Sequence, residues 1–190
     1  MRRPLIIMFL GVPGSGKSYF ARQLAAKTHA VRFNSDAMRL ALFGSVEEVE
    51  KRRNDPAMNV MTFGTIDYVA EQVLSAGHDV VYDAHHNRRD LRKKFEQMAL
   101  LHGAIPLVVW MKTPQAVALS RAQNREATVD QLRLSPEVVR EVVRRQLANF
   151  DEPDEHENVI TIDGTVDFEQ QIVSYTAQLE KITRSLEYNK

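Results

Sequence analysis

Apolar residues along this chain alternate between two rhythms, short unbroken runs and turn-spaced repeats. The first run, Leu5-Ile6-Ile7-Met8-Phe9-Leu10, has the length of a buried strand. Behind it Phe20 and Leu24 lie one turn apart on a helical face. Residues 30–34 predict a second strand, and 37–43 a short helix stopped at Gly44. Residues 45–56 are polar and charged, with Asn54-Asp55-Pro56 marking a turn. Phe63, Ile66, Ala70, Val73 and Leu74 then return to helical spacing, and Gly77 is placed to cap the end.

The same alternation continues to the end. Residues 79–83 predict a third strand, and 84–87 the polar loop beyond it. Leu91, Phe95, Met98 and Ala99 mark one side of a helix stopped at Gly103, and 105–111 is a fourth strand. Thr113-Pro114 reads as N-cap and first turn of a helix running to about Arg125. Ser135-Pro136 repeats that signal ahead of Val139, Val142, Val143 and Leu147. An acidic loop over 151–157 leads to a fifth strand at 159–163. Phe168, Ile172, Tyr175, Leu179, Ile182 and Leu186 form the apolar face of a last helix. Strands alternating with helices predict an α/β fold with a parallel sheet covered on both faces. No repeat or linker divides residues 1–190, so one domain is expected, with a lid at roughly 121–136. Ligands of such sheets bind beyond the carboxyl ends of the strands, where Ser15, Asp36, Asp83 and Asp163 fall.

Composition narrows the partners. With 190 residues, 44% hydrophobic and 26% charged, the chain has the makings of one ordinary globular core. Twenty-five basic residues balance twenty-five acidic ones, so no global field draws it to nucleic acid or membrane. The absence of cysteine excludes disulfides and thiolate chemistry and fits a reducing compartment. Arg2-Arg3 and the apolar run resemble a signal peptide only faintly, because the run is short and no small-residue cleavage site follows. No stretch approaches the ~20 apolar residues of a membrane helix, so a cytoplasmic location is expected.

Chemistry enters with Gly11-Val12-Pro13-Gly14-Ser15-Gly16-Lys17-Ser18, which fits G-x-x-x-x-G-K-[ST] between a strand and a helix. Backbone N–H groups turned inward, together with the positive end of the helix, make such a loop a phosphate cradle. Gly14, Ser15, Gly16, Lys17, Ser18 and Tyr19 are the expected nucleotide contacts. Lys17 would neutralise the β- and γ-phosphates, and Ser18 would hold Mg²⁺. Asp36 and Arg39 lie three apart on a short helix. Asp36 is a candidate general base and Arg39 a candidate anion fork, against the plainer reading of an N-cap and a solvated cation. Asp83 ends an apolar strand where a Mg²⁺ carboxylate belongs, or it satisfies local backbone N–H groups. His85, His86 and Asn87 follow on the loop, either as substrate contacts or as plain polar loop. Arg121 and Arg125 share a helix face beside a polar segment suited to a lid, and would close on the transferring phosphoryl group or stay solvated. The runs Lys51-Arg52-Arg53 and Arg88-Arg89 with Arg92-Lys93-Lys94 are solvated faces or contacts for a nucleic acid or other phosphorylated acceptor.

Taken together, these segments resemble the P-loop kinase superfamily, and most of all the branch with phage polynucleotide 5′-kinase and small predicted kinases. The likeness rests on the glycine loop, Asp36-Ala37-Met38-Arg39, Asp83-Ala84-His85-His86-Asn87, Arg121 to Arg125, and Phe150-Asp151-Glu152-Pro153. It implies sheet order 2-3-1-4-5, with Asp36 as base and Arg39 as acceptor-phosphate ligand. It also implies Asp83 on the acceptor side, Arg121 or Arg125 on the ATP phosphates, and Gly164 in the adenine loop. His85 and His86 depart from the smaller residues usual there, which leaves the acceptor open. The expected reaction is ATP- and Mg²⁺-dependent phosphorylation of a hydroxyl: a polynucleotide 5′ end, a nucleoside, a metabolite or an antibiotic. A switch or motor NTPase and a non-transferring regulator are the rivals. Asp83-Ala84-His85-His86 and Asn124-Arg125-Glu126-Ala127 lack the guanine-reading pattern of a GTPase.

Overall fold

The computed structural model describes residues 2–126 and 135–188. Five strands form one parallel sheet: β1 (Leu5–Leu10), β2 (Val31–Asn34), β3 (Val80–Asp83), β4 (Ile105–Lys112) and β5 (Val159–Asp163). Their order is β2-β3-β1-β4-β5, as expected. The described helices are α1 (Lys17–Thr28), α2 (Ser35–Phe43), α3 (Val46–Lys51), α4 (Pro56–Ser75), α5 (Arg89–Leu101), α6 (Gln115–Gln123), α7 (Pro136–Ala148) and α8 (Phe168–Tyr188). Residues 127–134, the middle of the expected lid, lie outside the described residues.

Strand β1 is buried throughout and its side chains alternate between two cores. Leu5, Ile7 and Phe9 pack with α1 and α8 through Phe20, Leu24, Ile172 and Tyr175. Ile6, Met8 and Leu10 pack with α4 and α5 through Ile66, Leu74, Phe95 and Met98. Helices on both faces explain why the central strands read as unbroken apolar runs. Phe20, the first inward residue of α1, meets Phe9, Phe168 and Tyr175 with ring centroids 6.4, 5.8 and 5.8 Å away. Burying a ring of that size contributes about 1.5–3 kcal/mol. It also fixes the axis of α1, and therefore the loop that feeds it.

Three local expectations change. The polar segment 45–56 contains α3, where the Ser45 hydroxyl accepts from Glu48 N and the Glu47–Lys51 and Glu48–Arg52 pairs span one turn. Asn54-Asp55-Pro56 is the start of α4, with Asp55 accepting from Ala57 N and Pro56 in the first turn. Thr113 does not cap α6. Its hydroxyl donates instead to Ser15 O at 2.8 Å, and the helix begins behind Pro114 and ends at Gln123.

Candidate phosphoryl-transfer site

The loop between β1 and α1 lies at the carboxyl edge of the sheet. Gly16 precedes α1 with no side-chain cap, so the first backbone N–H groups of the helix have no intrahelical partner. Unpaired N–H groups and the helix dipole suit this loop to an anion. Gly14 has φ +81°, and a Cβ there would sit 1.9 Å from Ala118 O on α6, so only glycine lets the loop lie against that helix. The Lys17 ammonium folds back over the loop, donating to Gly11 O at 2.7 Å and Val12 O at 2.8 Å. Desolvation lowers its pKa to about 7. Asp83 opposes that shift and the nearby charge of Arg125 adds to it. Ser15 is buried, and Tyr19 is exposed on the first turn of α1.

Ser18 donates its hydroxyl proton to Asp83 Oδ1 at 2.9 Å. Asp83 Oδ2 accepts from Arg32 Nε at 3.0 Å and from Asn34 Nδ2 at 2.8 Å, and it also pairs with Arg32 Nη2. The register pairs Asn34 with Asp83 across β2 and β3. Arg32 shares the face of Asn34 two residues earlier and reaches forward to the same oxygen. Arg32 and Asn34 were not among the expected site residues. The available signal was a charged and an amide residue on one face of a short strand aimed at the ligand edge.

Asn34, not Asp36, caps α2: its Oδ1 accepts from Ala37 N at 2.8 Å. Asp36 lies in the first turn, where Arg39 Nη1 donates to its Oδ1 at 2.9 Å. Arg39 also reaches Asn59 and lies over the Phe63 ring, while its Nε is buried without a partner. Both residues line a cavity of about 750 Å³ between α2, α3, α4, α5 and α7, which also holds Arg125, Arg145 and His85 in its wall. Its floor is aromatic. Tyr82 donates to Asp67 Oδ1 at 2.8 Å, and Asp67 is paired with Lys94. Burial, then the Asp67 charge, pushes the Tyr82 phenol well above its usual range. His85 has its pKa pulled down to about 4 by desolvation and by Lys17, Arg39 and Arg145.

The loop after β3 supports the phosphate loop from below. Asn87, expected among the acceptor contacts, accepts from Gly11 N at 2.9 Å and donates to Gln146 Oε1 on α7 at 3.2 Å. Both ends of its buried amide are thus engaged within the chain, tying the phosphate loop to α7. His86 N donates to Phe9 O, and its ring is wedged edge-on against Tyr82 and Phe95. Burial lowers its pKa to about 3, so the ring is neutral. Four cations of the 88–94 run, Arg88, Arg89, Arg92 and Lys94, are paired with carboxylates. Arg92 is fully buried, with Nε 2.7 Å from Glu157 Oε1 and Nη1 donating to His86 O at 3.0 Å. Arg89 pairs with Glu96 and Asp154, and Arg88 with Asp90. Asp151, in the Phe150-Asp151-Glu152-Pro153 segment, donates its N–H to Asn87 O and accepts from Arg89 N.

The far side of the loop joins β5. Gly164 N donates to Lys112 O, and Arg121 Nη1 donates to Gly164 O at 2.6 Å. The two candidate arginines therefore separate: Arg121 holds the loop after β5, and Arg125 lies at the cavity within electrostatic reach of Lys17. A Cβ on Gly164 would stand 2.0 Å from Thr113 Oγ1 and 2.3 Å from Ser15 O, so only glycine admits this contact. Asp163 accepts from the Thr165 N–H and hydroxyl, which holds its carboxyl below the usual range. Among the described residues no cluster of three or more His, Cys, Asp or Glu could hold a metal ion, and no helix is long and apolar enough to cross a membrane.

A family model described as an AAA domain matches residues 6–153. No curated protein matches the chain. Among solved structures, a gluconokinase from Sinorhizobium meliloti is similar over 100% of this chain and 99% of its own, at 17% identity and TM-score 0.68. An APS kinase from Mycobacterium tuberculosis, in complex with AMPPNP and APS, matches over 95% and 99%, at 17% identity and TM-score 0.65. A sugar kinase from Janibacter sp. HTCC2649 matches over 95% of each chain, at 18% identity and TM-score 0.64. At these identities the likeness is one of fold.

Proposed function

The chain belongs to the AAA domain family and to the P-loop kinase superfamily, and on that premise we propose that it transfers the γ-phosphoryl group of ATP to a hydroxyl of a small acceptor. The observation that carries this reading is a shared cavity. Asp36, Arg39 and Arg125 line one space of about 750 Å³, and Arg125 and Asp83 both act on the charge of Lys17 in the phosphate loop. A space of that size takes a drug-sized or nucleotide-sized molecule.

In this scheme the unpaired N–H groups of the loop and the Lys17 ammonium hold the β- and γ-phosphates. Asp36, held in place by the Arg39 hydrogen bond, accepts the proton of the acceptor hydroxyl as that oxygen bonds to the γ-phosphorus. The bond to the bridging oxygen breaks and its electron pair leaves with ADP. Arg125 stabilises the charge of the transferring group. A magnesium ion bound with the nucleotide would neutralise its phosphate oxygens. Ser18 fits that ion, because its only proton goes to Asp83 and its lone pairs stay available.

A regulator without transfer would spend Asp36 in capping α2, whereas Asn34 does so. A polynucleotide acceptor would need unpaired cations, and Arg88, Arg89, Arg92 and Lys94 of the 88–94 run each face a carboxylate. The solved structures above carry kinase names, which supports the reaction class at the level of fold. Incubation with γ-labelled ATP and a panel of sugars, sugar acids, nucleosides, aminoglycosides and 5′-hydroxyl oligonucleotides tests the proposal. Label on a small acceptor supports it. Label on oligonucleotides alone would reassign the acceptor, and release as free phosphate alone would remove the transferase reading.

A further inference from the structure

The carboxylate behind the expected magnesium site already carries a cation. Asp83 Oδ2 faces Arg32 Nε, Arg32 Nη2 and Asn34 Nδ2, so that oxygen is saturated with donors. Oδ1 takes the Ser18 hydroxyl proton. The Asp83 side chain is 2% exposed and that of Arg32 16%, so water screens this pair only weakly. What the chain offers a divalent cation here is a neutral hydroxyl oxygen in front of a neutralised carboxylate. Hard divalent cations take several oxygens, usually with carboxylate or phosphate charge among them.

We propose that Arg32 is a built-in counter-ion for Asp83, a positioning residue that makes divalent-cation binding conditional on bound nucleotide. Asp83 fixes the Ser18 rotor so that its lone pairs face the cleft. Arg32 removes the charge that would let the ion bind without phosphates. A cation held in advance would fill the cradle with positive charge and set Lys17 and the ion against each other. With Arg32 in place the charge arrives together with the phosphates. This inference rests on the nucleotide-site reading above and adds the order in which the site fills.

The test uses Mn²⁺ as the probe, followed by electron paramagnetic resonance, on the full chain with and without ADP. Wild type should bind Mn²⁺ at this site only when ADP is present. Arg32→Gln should bind Mn²⁺ without nucleotide, with an affinity roughly 10-fold or more above wild type, because a unit charge beside the carboxylate is gone. Arg32→Lys keeps the charge and should behave as wild type. A purely structural role for Arg32 would give loss of ADP binding with no gain of Mn²⁺ binding, and that result would overturn the proposal. Tight Mn²⁺ binding by nucleotide-free wild type would overturn it as well, and needs no variant to be read. Should Arg32→Gln lose its circular-dichroism signature, Arg32→Met replaces it with the packed stem retained. Calorimetry on the same samples separates the two readings: absence of ADP binding by wild type removes the nucleotide site itself, whereas normal ADP binding with unchanged Mn²⁺ behaviour removes only the role of Arg32.

Discussion

Replacing Glu157 by Gln strikes the support beneath the phosphate loop without touching the loop. Arg92 has no exposed surface, and Glu157 meets it twice, Nε to Oε1 at 2.7 Å and Nη2 to Oε2 at 3.1 Å. Asp154 N adds a third bond to Oε2 at 3.0 Å. Glutamine removes the negative charge and turns one acceptor into a donor that faces donors. Leaving a buried guanidinium uncompensated costs about 3–5 kcal/mol. With a slope of about 2 kcal/mol per molar urea, the unfolding midpoint should fall by about 2 M. Arg92 also donates to His86 O, next to Asn87, which holds Gly11. ADP affinity should therefore fall along with stability. The double substitution Arg92→Met with Glu157→Leu removes both charges and should recover at least half of the lost stability. Full recovery is not expected, because His86 O and Glu152 O lose their donor. A loss below about 1 kcal/mol for Glu157→Gln, or a double variant no better than the single, would refute the pairing as the source of rigidity.

Other consequences are as direct. The Lys17 ammonium has its pKa lowered to about 7, and bound phosphates should raise it again. ADP binding at pH 8 should then take up close to one proton, and at pH 6 almost none, measured by calorimetry in buffers of different ionisation heat. The same shift penalises the fold below pH 7, and the penalty lifts as pH rises from about 7 towards 10.5, where the unfolded chain still holds the proton. Equal proton uptake at both pH values would contradict the assignment. Gly164→Ala puts a methyl group into Thr113 Oγ1 and Ser15 O, so it should cost about 1–3 kcal/mol, read as lower ADP affinity and melting temperature. Wild-type ADP affinity in that variant would show that the loop after β5 does not set the cradle.

The fold was legible because its signals are local. Runs of strand length, glycine stops and helical spacing each sit within a few residues, and a phosphate loop after the first strand fixes the ligand edge of the sheet. Helix α3 was legible in principle, since Ser45-Val46-Glu47-Glu48 is a capping box, but its few apolar residues hide the helical period. What the sequence conceals are partnerships across the chain. The 88–94 run looks basic until Glu157, 65 residues later, is brought against Arg92. Asn87 looks like a loop contact until Gly11 and Gln146 take both ends of its amide. Arg32 shows the same thing most clearly. A charged residue in a four-residue strand has no meaning by itself, and acquires one when parallel pairing lays β2 beside Asp83.

The most direct test of the central claim is a paired measurement on Asp36→Asn: ADP affinity by calorimetry, and γ-phosphoryl transfer to whichever acceptor the panel identifies. Asn34 and not Asp36 caps the helix, and Asp36 is held by Arg39, so the substitution should leave ADP affinity within about threefold. Transfer should fall by about 10²–10⁴-fold, the usual contribution of a positioned base. Undiminished transfer by Asp36→Asn would contradict the account, because the hydroxyl proton would then be leaving by another route.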